Sequence, residues 1–393
     1  MTMRKQIYLL MAIRVIRMFL ITMPIIVIYW QSHGLRMQDI FVLQVVFSIA
    51  IVLFEIPSGY FADKYGRKTS MLLGSILGVT GFFIYWAMPS YLGFILAEII
   101  LALSSGFLSG SRDALLFETL KQNGEESHYA KYQGRIFATG NVSEAVAAIC
   151  AGIIASMNSI ETVLLIQWIV MLIAIPLTLM LREIPNGAEM KTPTLLKILH
   201  GNFKENKRLR FLNFYTGGIS AATLTMVWFA QPYWKELEIN ILYFGYLWAG
   251  LNLLVALGAV VAHRLEKRLS FRTLFVGMAI LPFLLYMFVG YTNVTIFAVI
   301  AIASFWLLRG VAQPIIQDYV QRECKDGERA TVLSINALVS RLTFSIFSPF
   351  LGWVADVWSF QVAFATSGVI FGIISLTSFI LLYKEMGKNV EMT

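Results

Sequence analysis

With 393 residues, 58% of them hydrophobic and only 14% charged, at a mean hydropathy of +0.71, the chain carries more apolar surface than a soluble core can hide. Lipid is therefore its solvent, which excludes soluble enzymes and soluble binding modules. The formal charge of +8 does not point to nucleic acid, because the basic residues fall in short loops between apolar runs, where they set membrane orientation, instead of on one soluble face.

The first residues, Met1 to Gln6 and the apolar run behind them, have the layout of a signal peptide. Arg14 and Arg17 interrupt that run, it continues to Trp30, and no small-residue cleavage pattern follows, so it reads as an uncleaved first membrane helix. A span needs roughly 20 mostly apolar residues. On that template the chain is all-α, with helices at about 7–31, 39–62, 70–88, 91–118, 134–157, 161–181, 210–233, 241–262, 272–290, 294–318, 330–355 and 360–383. The polar interval Arg182 to Arg210, with Pro185 and Pro193, divides these twelve into six and six. The predicted organisation is a bundle over 1–181, a cytoplasmic linker over 182–209 and a second bundle over 210–393. With the N-terminus inside, the outside loops hold only Arg36 and Lys235, so both termini are expected in the cytoplasm. Cys150 and Cys324 are too few for a disulfide framework.

Charges inside spans cost of order 3 kcal/mol each on insertion scales, so they face a cavity or pair with one another. Helix 1 carries Arg14 and Arg17, and helix 2 carries Glu55 in the run Phe54-Glu55-Ile56-Pro57-Ser58-Gly59. A carboxylate there is either a proton carrier or the partner of Arg14, Arg17 or Arg341. Between helices 2 and 3 comes Gly59-Tyr-Phe-Ala-Asp63-Lys64-Tyr-Gly66-Arg67-Lys68. In it Gly59 is expected to allow close helix packing and Gly66 a tight turn, while Asp63, Arg67 and Lys68 can exchange partners. Gly66-Arg67-Lys68-Thr69 lacks the spacing of a phosphate-binding loop. Helix 4 brings Glu98, Arg112 and Asp113, with Glu118 at its end as a switch partner for Arg67. Arg112 and Asp113, being adjacent, are expected to point apart and to need other partners. Helix 5 carries Glu144, a second candidate proton carrier.

In the second half, Trp228, Gln231, Asn252, Gln313 and Asn336 offer stacking and hydrogen bonds to a polar organic molecule, with interfacial anchoring the alternative for Trp228. Arg309 and Arg341 are its deep charges. An offset near 200 residues relates Gly110 to Gly310, Glu118 to Asp318 and Gly152 to Gly352, the mark of an internal repeat. His33, His128, His200 and His263 fall in loops or at helix ends, so any proton carrier is a carboxylate.

The loop motif from Gly59 to Lys68, the Glu-x-Pro-Ser-Gly run before it and the two six-helix halves resemble the Major Facilitator Superfamily, in particular its smaller bacterial members. The resemblance implies two pseudo-symmetric six-helix bundles, with helices 3, 6, 9 and 12 peripheral and the others around a central cavity. It also implies that the loop motif braces one closed state. At the place where many drug exporters of the family carry a helix-4 arginine this chain has Glu98, and on helix 5 only Gly152 survives of their glycine pattern, which weakens proton-drug antiport.

The function expected is secondary transport of a small organic molecule across the bacterial inner membrane by alternating access. Proton-coupled efflux of a drug or metabolite is the leading reading. The alternative is uptake or release of an anionic metabolite or siderophore, by symport or facilitated diffusion, favoured by five intramembrane arginines: Arg14, Arg17, Arg112, Arg309 and Arg341. No catalytic cluster, metal-ligand spacing or cofactor motif stands out, so no enzyme, metal or cofactor is expected. The expected partners are the substrate, protons and membrane lipid, and a single chain is expected to suffice.

Overall fold

In lipid a backbone amide has no water to bond with, so an apolar chain of this kind must satisfy its amides within helices. The computed structural model describes residues 2–184, 206–324 and 329–387. Most of the predicted linker therefore lies outside the described residues. The helices are α1 (Met3–Met18), α2 (Ile26–Ser32), α3 (Met37–Tyr65), α4 (Arg67–Ala87), α5 (Tyr91–Lys121), α6 (Tyr129–Met157), α7 (Ile160–Leu172), α8 (Ala174–Leu179), α9 (Lys207–Glu236), α10 (Ile241–Arg268), α11 (Phe271–Tyr291), α12 (Thr295–Arg322), α13 (Arg329–Val357) and α14 (Phe360–Gly387). Among the described residues there is no strand.

Ten segments are long and apolar enough to cross a membrane: α3 to α6, α7 with α8, and α10 to α14. The α1–α2 pair and α9 complete the twelve predicted spans. Helix 1, expected to be continuous over 7–31, is instead broken from Phe19 to Ile25. Pro24 has no amide to donate, and the Phe19 carbonyl freed by the break accepts the buried Gln167 Nε2 of α7 at 3.1 Å. Helix 6 is interrupted at Ile173, three residues before Pro176, dividing it into α7 and α8. α9 is long enough to span, but its Asn213, Thr216, Gly217 and Gly218 make it polar, and all four are buried.

The chain forms two compact units. The first holds α1, α2, α3 from Leu43 onward, α4 to α8, and the opening of α10 to Gly250. Packing between helices in lipid relies on close van der Waals contact, which small residues permit. Gly74 and Gly81 of α4 show how: a Cβ added to either would come within 2.7 Å of Leu108 and Leu101 of α5, respectively. The contact continues into a cluster of Leu10, Ile13, Met71, Leu115 and Ile136. The second unit holds Arg36–Val42 at the start of α3, α9, α10 from Leu251 onward, and α11 to α14. Three tyrosines lash α9 to α11, each donating to a main-chain carbonyl: Tyr215 to Phe275, Tyr286 to Ala222 and Tyr233 to Val289. In the same unit the Asp356 carboxylate accepts the amides of Met37 and Gln38 at 2.9 and 2.8 Å, capping the start of α3.

Candidate functional site

The polar side chains of the first unit gather at three levels. At the α3–α4 turn, Gly66 takes φ 101°, the tight turn expected of it. Arg67 then lies 2.6 Å from Asp63, one turn back on α3, and 3.5 Å from Glu118 of α5. Asp63, Arg67 and Glu118 are thus brought together, whereas the Lys68 side chain joins no ion pair among the described residues. A further carboxylate, Glu183, lies just beyond α8. It accepts the amides of Arg67 and Lys68 at 2.8 and 2.9 Å and so neutralises the positive end of α4. Gly59 does not make the close packing expected of it: nothing lies within 4 Å of the position its Cβ would take. The near contact comes one residue earlier and from the other side, where Gly106 of α5 faces Ser58, whose Oγ is 3.1 Å from the position of an added Cβ.

The second unit holds a related arrangement that sequence reasoning missed. Arg322 at the end of α12 pairs with Asp318, one turn back, and with Glu266 of α10 at 2.9 Å. Glu266 and Asp318 stand at nearly the repeat offset from Asp63 and Glu118, but the arginine comes from α12 instead of the loop, which is why the loop sequence alone does not reveal it.

The middle level of the first unit is basic. Arg17 reaches from α1 between α4 and α5, where Nη1 donates to Ser104 Oγ at 2.8 Å, and Ser104 in turn donates to the Gly74 carbonyl at 2.6 Å. Gly78 makes the slot: a Cβ there would lie 2.4 Å from Arg17 Nη1. Arg14, three residues earlier, packs against Gly140 of α6, where a Cβ would lie 2.7 Å from its Nε. Arg14 lies within electrostatic range of Arg112, Asp113 and Glu144, and Arg17 within range of Arg14 and Arg112. Neither Arg14 nor Arg17 has a carboxylate within ion-pair distance among the described residues.

Contrary to the expectation from adjacency, Arg112 and Asp113 are partners. Both Nε and Nη2 of Arg112 reach Asp113 Oδ1 at 2.8 Å, because the long arginine stem folds back along the helix. Glu144 accepts Trp248 Nε1 at 3.5 Å. Glu55 lies exposed on α3 and forms no ion pair with Arg14 or Arg17 among the described residues. Glu98, by contrast, is 6% exposed, and its Oε1 accepts Tyr85 O–H at 2.5 Å and Gln44 Nε2 at 3.2 Å.

The remaining candidates belong to the second unit. Arg309 and Gln313 lie exposed one turn apart on α12, while Asn252 and Arg341 are half-buried. Trp228 is buried. Asn336 donates to Asn213 Oδ1 at 2.8 Å, both residues being buried. Asn336→Leu strands the Asn213 amide, so it is expected to lower stability by about 1–2 kcal/mol, read as a lower Tm in detergent.

The match to known proteins agrees with this architecture. The family model described as Major Facilitator Superfamily matches residues 7–346 and 210–391. The uncharacterized MFS-type transporter YxaM of Bacillus subtilis (strain 168) is 26% identical over 368 residues, covering 90% of this chain and 84% of that protein. The uncharacterized MFS-type transporter MJ1560 of Methanocaldococcus jannaschii is 22% identical over 368 residues, covering 90% and 92%. Among solved structures, the nucleoside transporter NupG superposes with a TM-score of 0.82 at 14% identity, covering 96% of this chain and 98% of that one. A D-xylose-proton symporter superposes with a TM-score of 0.72 at 12% identity, covering 96% of each. At such identities the structural likeness concerns the fold alone.

Proposed function

The chain belongs to the Major Facilitator Superfamily, a multi-pass membrane protein and a transporter, not an enzyme, and we propose that its cargo is a small organic anion moved by alternating access and coupled to protons. The observation that carries this reading is the pair Arg14 and Arg17. Two guanidiniums are held one turn apart in a membrane interior with no carboxylate within ion-pair distance among the described residues: Arg17 faces the like charges of Arg14 and Arg112, and Asp113 and Glu144 offset Arg14 only from beyond that distance, so the compensation that buried charges normally have is incomplete. A carboxylate or phosphate-bearing substrate supplies it, and the planar guanidinium fork suits such groups. Proton coupling is supported by the absence of a nucleotide motif in the sequence and by the fold shared with a D-xylose-proton symporter. The distribution of lysine and arginine supports an inner-membrane setting with both termini cytoplasmic.

The test is the purified protein in liposomes loaded with a pH-sensitive dye, challenged in turn with organic anions, nucleosides, sugars and lipophilic cations. Anion-dependent proton flux is the expected result. Flux with cations and none with anions would return the reading to drug export, and anion movement without proton flux would remove the coupling.

Within this cycle Asp63, Arg67 and Glu118 serve as the switch, Arg67 exchanging its two carboxylates as the α3–α4 turn moves. Asp63→Asn keeps the shape and removes one partner. For a partly exposed pair worth at most about 1 kcal/mol, the maximal rate is expected to fall about fivefold with KM unchanged, measured by initial-rate uptake. A change in KM alone would assign Asp63 to substrate binding instead.

A further inference from the structure

Glu98 is a membrane-embedded acid whose every observed partner is neutral. It lies seven residues into α5, roughly 10 Å from the α4–α5 turn at 1.5 Å per residue. Tyr85 of α4 and Gln44 of α3 both donate to the same oxygen, Oε1. Tyr85 is itself positioned by a second tyrosine, because Tyr29 of α2 donates its hydroxyl to the Tyr85 carbonyl at 2.9 Å. The rings of Tyr29, Tyr85 and Phe94 then close the nest, with centroids 5.7 Å apart for both contacts to Phe94.

The titratable groups around the nest are Tyr85 from α4, Tyr29 from α2 and His33 just past the end of α2. The His33 ring packs on Tyr29 and Phe94, with centroids 4.5 and 6.0 Å away, and its Nδ1 lies 2.8 Å from the Tyr29 carbonyl oxygen. Glu161 of α7 acts on Tyr29 and His33 instead of on Glu98. No lysine, arginine or second carboxylate lies within ion-pair distance of Glu98 among the described residues. A structural carboxylate in a membrane protein is expected to be held by a cation, as Asp113 is by Arg112.

We propose that Glu98 is a proton-binding site: Oε1 is pinned by Tyr85 and Gln44, leaving Oε2 to take up and release a proton. In the step itself, an O–H bond forms on Oε2 as hydronium gives up its proton and becomes water, and the reverse step returns the proton to water. Tyr85 and Gln44 position the carboxyl group in both states, since both are donors to Oε1 whether or not Oε2 carries hydrogen. The assignment deepens the proton-coupled reading of the transporter and rests on it for the use made of the proton, but not for the existence of the site.

The experiment is infrared difference spectroscopy of the reconstituted full-length protein in D2O over a pH series, with no substrate added. The expected result is a carboxylic-acid carbonyl band that titrates with pH, is missing in Glu98→Gln and moves in frequency in Tyr85→Phe, which keeps the acid and removes one donor. Identical pH-difference spectra for wild type and Glu98→Gln would overturn the proposal, and so would a titrating band indifferent to Tyr85→Phe. If Glu98→Gln fails to fold, Tyr85→Phe and Gln44→Leu decide alone: a band shifted by either supports the site, and a band shifted by neither overturns it. The transport reading fails separately. A titrating Glu98 band together with substrate movement that carries no protons would leave the site standing and remove the coupling, whereas proton-coupled flux without the band would do the opposite.

Discussion

Arg17→Gln is expected to lower substrate-driven flux in proteoliposomes at least about a hundredfold while leaving the protein folded. The side chain donates to one neutral oxygen, Ser104 Oγ, so removing its charge breaks no ion pair among the described residues. Loss of an uncompensated charge from the membrane interior is itself favourable, and Tm is expected to stay level or rise. A charged hydrogen bond is worth about 1.5–3 kcal/mol, and a fork in a desolvated site uses two, so losing about 3 kcal/mol of substrate binding corresponds to the hundredfold change. Arg17→Lys keeps the charge without the fork and is expected to fall between, near tenfold. Gly78→Ala provides an independent approach. Its Cβ would lie 2.4 Å from Nη1, the flexible end of the arginine, so the methyl displaces the guanidinium at little cost in stability and is expected to raise KM. A drop in Tm in Arg17→Gln with KM unchanged would instead make Arg17 a packing element and sink the anion reading.

How far the sequence carries depends on the range of each interaction. The spans are legible because hydropathy integrates over some 20 residues, and Gly66 is legible because a turn is local. The break at Phe19–Ile25 is not, since Pro24 sits in an otherwise apolar run and the Phe19 carbonyl that the break leaves open is satisfied by Gln167, 148 positions away. Glu98 stands out as a charge in a span. Its meaning depends on Tyr85 and Gln44, 13 and 54 residues off, which no spacing rule connects to it. Arg112 and Asp113 mislead in the opposite direction, because an argument from Cβ directions ignores a side chain long enough to turn back. Glu183 escapes notice because it lies at the edge of the polar stretch taken for a linker, yet it is a first-turn ligand of α4.

The repeat offset leads to the second large effect. Gly152 of α6 and Gly352 of α13, matched by the offset of 200, are both points of close backbone approach, each inside its own unit. A Cβ on Gly152 would lie 2.4 Å from the Leu242 carbonyl at the start of α10, and one on Gly352 would lie 2.8 Å from the Gln38 backbone at the start of α3. Leu242 and Gln38 are themselves related by nearly the same offset, so the two crossings are copies of one another. Here the obstacle is main chain, which cannot step aside as the end of an arginine can. Gly152→Ala and Gly352→Ala are each expected to cost about 1–3 kcal/mol in the state that contains the crossing, a shift of roughly 5- to 150-fold in its population. If these crossings form and part in every cycle, transport falls about tenfold or more in either variant, and the double variant falls further. Gly110→Ala is the control, because nothing lies within 4 Å of its Cβ position, although the same offset pairs it with Gly310, whose added Cβ would lie 2.2 Å from the Val255 carbonyl. Initial-rate flux through the four variants, each normalised to reconstituted protein, decides the matter. Equal rates for Gly110→Ala and Gly152→Ala would mean that the α6–α10 crossing does not part during transport.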